Sequence, residues 1–392
     1  MPPTPSPKGR PVASWALSIP LAVLLCACAT APSLIPDPPP ARDDLFAPSA
    51  EDTNPGRVLE LSDEMRAYAE RELRASMSRR DARLALVEAL NKRSQMKLEY
   101  DATRTGNAAE TFAARNGNCM SLLLMTSAFA QHLGLEFTFR QVLLPPEYSR
   151  ADGLTIQSGH VNLLIGQTTF RSIWSASDVV VDFLPLPEGT SQRVEVIDVN
   201  TVLAMYMNNR AAERLAEGRV DDAYAWARAA LRQDARHAAA ANTLGVIYLR
   251  RGALAEAEQA LRYVLDREPE NTAALTNLVS LLRTQGRAQE AVPLAATLHR
   301  LQPLPPFELF EQGRQALAQG NPARARELFD KELRLQPFQH EVHFWAAQAA
   351  LQLGDERQAT EHLRQAMDYS PTLAGQKLYA AKLERLRAVR LQ

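Results

Sequence analysis

Five glycines, Gly218, Gly252, Gly286, Gly320 and Gly354, stand 34 residues apart at every step, and Pro269, Pro303, Pro337 and Pro371 keep the same interval. Ala223, Ala257, Ala291, Ala325 and Ala359 form a third series with that period. Three residue types locked to one spacing do not arise from composition, and a fixed period of this size means stacked helical or sheet units. Each type has a mechanical reason. The glycine ends a first helix at low steric cost, the alanine lets a second helix approach closely, and the proline stops that second helix. The clearest unit runs from Ala238 to Asn271: Leu244, Gly245 and Tyr248 on its first helix, Gly252 at the turn, Ala257 and Leu261 on the second, Pro269 at the end. One hairpin cannot bury its own apolar face, whereas stacked neighbours can, and terminal units are expected to be irregular. Residues 204–373 therefore predict five helical hairpins, the first with Ala235 in place of the proline. Residues 374–392 follow as a capping helix with Lys377, Lys382 and Arg385 on its polar side.

A 34-residue hairpin with this pattern resembles the tetratricopeptide repeat. The resemblance implies an all-α solenoid whose first helices line a concave groove for a protein or peptide. The fifth position of each repeat reads Asn208, Asn242, Thr276, Phe310 and Phe344, with Arg283 and Arg314 between them. Such a groove is expected to be amide-lined at one end and aromatic at the other, suited to a peptide with an apolar anchor and a carboxylate or polar backbone. The same side chains would also serve as plain packing and solvated positions.

The other end of the chain carries Lys8 and Arg10, the apolar run Trp15 to Leu25, and then Leu25-Cys26-Ala27-Cys28. A short basic region, an apolar core too short to span a bilayer and small residues at the end describe an export signal over residues 1–28. Leu25 to Cys28 resembles the lipobox of bacterial lipoproteins, which implies lipidation of Cys28; an ordinary secretory signal ending nearby is the alternative. Ala29 after the cysteine resembles an outer-membrane address, so the expected location is the bacterial envelope, anchored by lipid alone and facing the periplasm. Residues 29–55 are rich in proline (Pro36, Pro38, Pro39, Pro40, Pro48) and predict an extended linker. A formal net charge of −1 gives no electrostatic reason to expect nucleic acid.

Residues 56–203 are long enough for one compact core. Helical periodicity dominates Leu59 to Leu90. Asn116-Gly117-Asn118 predicts a turn, followed by a buried helix from Met120 to Leu133 that Gly134 ends. Cys119, the one cysteine outside the signal, thus sits at a helix N-terminus, where free N–H groups and the helix dipole favour a thiolate and could hold an oxyanion. Short β-rich runs follow at 137–144, 159–166, 179–183 and 193–199, predicting an antiparallel sheet packed on the helices. A cysteine nucleophile needs a histidine base and an orienting polar group. Five of the seven histidines lie in the repeats. His132 lies 13 residues along the same helix, about 20 Å from Cys119, and cannot reach it. His160 remains, with Asp182 as orienter and Asn162, two residues along the strand, as rival.

Gly117-Asn118-Cys119-Met120-Ser121-Leu122, then Gly159-His160-Val161-Asn162, then Val181-Asp182-Phe183 resembles the transglutaminase-like superfamily over about residues 100–184. The resemblance implies an α+β, papain-like domain with Cys119 as nucleophile, His160 as base and Asp182 as orienter. Its chemistry would be acyl transfer from an amide, either to water (a peptidase or amidase) or to an amine. Many members follow the histidine with Ala-Trp and an acidic residue, whereas this chain has Val161-Asn162-Leu163, and the alternative is an inactive scaffold or assembly factor acting through the repeat groove. Neither a His-Glu-x-x-His motif, paired Cys-x-x-Cys nor a Gly-rich phosphate loop occurs, so no metal or cofactor is expected.

Overall fold

The computed structural model describes residues 39, 41–77, 81–91, 98–101, 104–151, 154–166, 178–183, 193–370 and 372–389. The expected signal, with Cys28, lies outside the described residues. Ser62 caps α1 (Asp63–Tyr68) by accepting from Met65 N, and the helix runs through a π-turn (Ala69–Leu73) into α2 (Arg74–Met77). After α3 (Ala82–Asn91) comes α4 (Ala108–Ala114), opened by a reciprocal Asn107–Glu110 capping box. Arg115, at φ 58°, ends it in the left-handed region. Asn116 and Gly117 then form β2 (Asn116–Gly117), a short strand parallel to β1 (Glu99–Tyr100), instead of the expected turn. The reversal is made one residue earlier, at Arg115. From Asn118 the chain enters α5 (Cys119–His132), buried from Met120 to Ala130 and closed by Gly134 at φ 69°.

Four strands, β3 (Phe137–Ala151), β4 (Leu154–Ile165), β5 (Val179–Val181) and β6 (Arg193–Ile197), form an antiparallel sheet in the order β5-β4-β3-β6. Phe139, Val161, Leu163, Ile165 and Val181 enter the same hydrophobic core as the α5 residues Met120, Leu123 and Phe129. This half is thus helices on an antiparallel sheet. β3 and β4 are longer than the sequence suggested. Pro145 and Pro146 have no N–H to give, and the pairing register shifts between Val142 and Glu147 before resuming to Ala151 and Leu154.

Five helical hairpins follow. The first pairs α6 (Val199–Ala216) with α7 (Val220–Gln233), and the second α8 (Ala238–Arg251) with α9 (Leu254–Arg267). α10 (Thr272–Thr284) with α11 (Ala288–Leu301) and α12 (Glu308–Ala318) with α13 (Pro322–Leu335) form the next two, and α14 (His340–Gln352) with α15 (Glu356–Asp368) the fifth. α16 (Leu373–Val389) covers the end. The five period-setting glycines hold φ between 74° and 80°, the left-handed conformation that explains their residue type. Another repeated glycine serves close packing: a Cβ on Gly313 would lie 2.5 Å from the Phe329 ring. α6 begins five residues before Ala204 because Asp198 caps it, accepting from Thr201 N.

Residues 41–55 depart from the expected extended linker. They form a strap across the turns of the first two hairpins. Phe46 stacks on Tyr224 with ring centroids 3.8 Å apart, and the Tyr224 hydroxyl donates to Asp43 at 2.7 Å. The Arg42 guanidinium pairs with Glu256, and Ser49 Oγ donates to Asp222. Glu51 is enclosed by Arg214 and Arg219, each at 2.8 Å, and by Trp226 Nε1 at 3.1 Å. Burial alone would push its carboxyl up, but these donors together with Arg210 bring it down to about 2. Apart from a 3-10 turn at Asp43–Leu45, the strap is irregular yet packed.

Candidate thiol site and repeat groove

Cys119 is the first residue of α5, partly buried and carrying a thiol outside any disulfide. Its helix start is rigidly built. Asn118 Oδ1 accepts from Ser121 N at 3.0 Å while Asn118 Nδ2 donates to Thr105 Oγ1 at 2.7 Å. Ser121 Oγ accepts from Gly106 N at 2.9 Å. Gly117 has to be glycine, since a Cβ there would lie 2.5 Å from that of Ser121. The segment holding this turn is gripped from the other side by the first repeat: Thr105 N donates to Glu213 Oε1 and Arg210 Nη1 to the Thr105 carbonyl, both at 2.8 Å. Burial raises the Glu213 carboxyl, against the Thr105 bond and Arg210. The thiol-bearing helix start and α6 are therefore one construction.

His160 lies within β4, enclosed and only 5% exposed. Its Nε2 is 2.8 Å from Asp182 Oδ2, just beyond β5. Asn162 Nδ2 donates to the same oxygen at 3.2 Å, and Arg140 Nε donates to Asn162 Oδ1 at 3.0 Å. Burial lowers the Arg140 guanidinium, and Asp182 and Asp178 oppose that effect. The chain of bonds fixes each group. Because Arg140 has only N–H to give, Asn162 must turn its oxygen to Arg140 and its NH2 to Asp182. Asp182 thus accepts from Asn162 and, with the imidazole proton on Nε2, from His160, so Nδ1 is the ring nitrogen turned away from the carboxylate. That Nδ1 is buried and, among the described residues, has no hydrogen-bond partner.

The structure thus brings His160 and Asp182 together, and Asn162 holds the carboxylate rather than the imidazole. Cys119 stands on α5, which packs against β4, and the His160 Nδ1 makes no hydrogen bond to it. His132, at the far end of α5, lies 3.3 Å from Glu70. Arg140 was missed from sequence; it stands directly opposite Asn162 in the hairpin register, a pairing that exists only once the hairpin is aligned. Among the described residues no group of three or more His, Cys, Asp or Glu is arranged to hold a metal. No helix among them is long and apolar enough to cross a membrane.

At the amide end of the repeats, Asn242 Oδ1 accepts from Asn277 Nδ2 at 3.0 Å, and Asn208 Oδ1 is buried without a partner among the described residues. Thr276 turns its hydroxyl back to the Thr272 carbonyl at 2.7 Å. Arg283 and Arg314 are exposed, Arg314 lying over the Phe310 and Trp345 rings. The aromatic end is not the open surface expected. Phe310 is 2% exposed, enclosed by Phe307 and Phe329, which closes in over Gly313. Phe344 packs against Trp345 and Tyr379, with Lys382 of α16 over its ring, so the capping helix covers it.

Comparison with family models matches the repeat half of the chain. The tetratricopeptide repeat family model matches residues 208–267, 254–303 and 310–372, and the hairpins of this half are tetratricopeptide repeats. None of the curated proteins matches the chain. Solved structures similar to it include YrrB, described as a TPR protein with an unusual peptide-binding site (22% identity, 46% of this chain and 92% of that one, TM-score 0.25). Others are the thermophilic TPR protein TTC0263 of Thermus thermophilus (19%, 46% and 98%, 0.28) and PilF of Pseudomonas aeruginosa (23%, 48% and 85%, 0.28).

Proposed function

We propose that the chain is a partner-binding repeat protein of the bacterial envelope, tethered through Cys28, whose transglutaminase-like N-terminal domain performs acyl transfer at Cys119. The repeats hold a protein or peptide partner. Cys119 Sγ gives its proton to His160 Nδ1 and attacks an amide carbonyl; N–H groups at the start of α5 stabilise the oxyanion. The imidazolium then protonates the leaving amine, and water or another amine resolves the thioester. Asp182 orients the imidazole, with Asn162 and Arg140 fixing the carboxylate. The observation that carries this reading is the His160–Asp182 pair at 2.8 Å, with Nδ1 buried and lacking a partner among the described residues.

Its test is acylation by p-nitrophenyl acetate followed by intact mass and peptide mapping. The expected product is one acetyl group on Cys119, formed in the parent chain and lost in His160→Ala. If Cys119 is not acetylated, or is acetylated equally in both, the catalytic reading fails. A second reading, a scaffold without chemistry, is favoured by the enclosure of His160, which is 5% exposed. It predicts that a Cys119→Ala chain retains every binding partner and every cellular effect.

A further inference from the structure

Past the register shift, β3 and β4 pair with each other from Glu147 to Ala151 and from Leu154 to Ser158. Among the described residues β6 pairs with β3 over Phe139–Leu143 and β5 with β4 over Leu163–Ile165, while residues 147–151 and 154–158 pair with each other as a ribbon. Such a ribbon is marginal on its own. This arm ends on the repeats. Gln339 Nε2, at the start of α14, donates to the Tyr148 carbonyl at 2.7 Å. Gln302 Nε2, at the end of α11, donates to the Tyr148 hydroxyl at 3.2 Å. The Tyr148 ring packs on the cluster of Phe307, Phe310 and Phe329. Gln339 is itself set by a 2.9 Å bond to Gln336, and Phe307 is held at φ 65°, a conformation costly for a bulky residue. A main-chain carbonyl, an aromatic ring and a hydroxyl, each met by a separate repeat group, is how a repeat surface reads an extended peptide.

We propose that the third to fifth repeats hold a peptide-binding site for an extended, tyrosine-anchored segment, and that the chain's own β3–β4 arm is its resident occupant. A partner segment of the same chemistry enters by displacing the arm. The inference rests on the partner-holding role of the repeats and not on the thiol chemistry. The assay below reads neither acylation nor alkylation, so the two can fail separately.

The probe is a fluorescein-labelled peptide with the sequence of residues 143–158, titrated into the full chain and followed by anisotropy. In the parent chain the tethered arm competes at an effective concentration in the millimolar range. Tyr148→Ala is therefore expected to bind the probe at least about tenfold more tightly than the parent, with unchanged helical circular dichroism. Tyr148→Phe, which keeps the ring and loses one hydrogen bond, should fall between them. Adding Gln339→Ala to Tyr148→Ala should weaken the probe by about two- to tenfold, the worth of one hydrogen bond. A probe with alanine in place of its tyrosine should not bind. Equal affinity for parent and Tyr148→Ala, or no binding to either, overturns the proposal.

Discussion

The repeat array and the N-terminal domain solve the same burial problem in opposite ways. In the array each hairpin closes through the same few positions, so Gly245 against Leu261 and Gly313 against Phe329 are local variants of one contact. The N-terminal domain has no such repetition. Its thiol helix start depends on Thr105, which depends on Glu213 and Arg210 of the first repeat. A constraint used five times is visible in a sequence; a constraint used once is visible only in space.

That contrast yields expected outcomes of decreasing size. Tyr248 is fully buried where the second hairpin meets its neighbours, and Tyr248→Ala should cost about 3–5 kcal/mol in urea unfolding followed by helical circular dichroism. A loss under about 1 kcal/mol would mean that repeated contacts compensate for one another. Glu51→Ala, which removes the carboxylate shared by Arg214, Arg219 and Trp226, should cost about 2–3 kcal/mol. Hydrogen exchange in residues 41–55 should rise with it. Acid should act on the same strap. The folded carboxyl sits at about 2 against an ordinary 4.5, so its contribution is complete above about 4.5 and is lost as pH falls from there toward 2. Protease cleavage within 41–55 should follow that window.

Asn118→Ala removes the cap of α5 and the bond to Thr105, an expected loss of about 1–2 kcal/mol that local hydrogen exchange at Met120 to Leu124 should report. The smallest effect concerns the last hairpin. His343 Nε2 donates to the Pro337 carbonyl at 2.9 Å, which leaves its Nδ1 to accept from His362 Nδ1 at 3.1 Å. Burial holds both imidazoles below the ordinary 6.5. Their neutral pairing stabilises the fold above 6.5 and is lost as pH falls through the lower folded values. Thermal unfolding should come at a lower temperature at pH 5 than at pH 7.5, and the difference should shrink in His362→Gln.

The period, the five turns, the α5 helix and the four β-rich runs were all legible, because each follows from local residue types. The His160–Asp182 contact was reached by eliminating other histidines. Arg140 was not found, since its role needs the register of β3 on β4. The aromatic positions misled for the same reason. Phe310 and Phe344 hold the same repeat position as Asn208 and Asn242, yet their exposure is decided by Phe329 and by α16, which periodicity does not see. Proline content pointed to an extended linker in residues 41–55, yet Asp43–Leu45 form a 3-10 turn and Phe46 stacks on Tyr224.

Whether Cys119 and His160 act as one nucleophilic unit is tested most directly by the rate of Cys119 alkylation by iodoacetamide at neutral pH. Fast alkylation is expected in the parent chain, with a rate at least about tenfold lower in His160→Ala, a difference of about 1.4 kcal/mol. Equal rates in the two chains would contradict a shared nucleophilic unit.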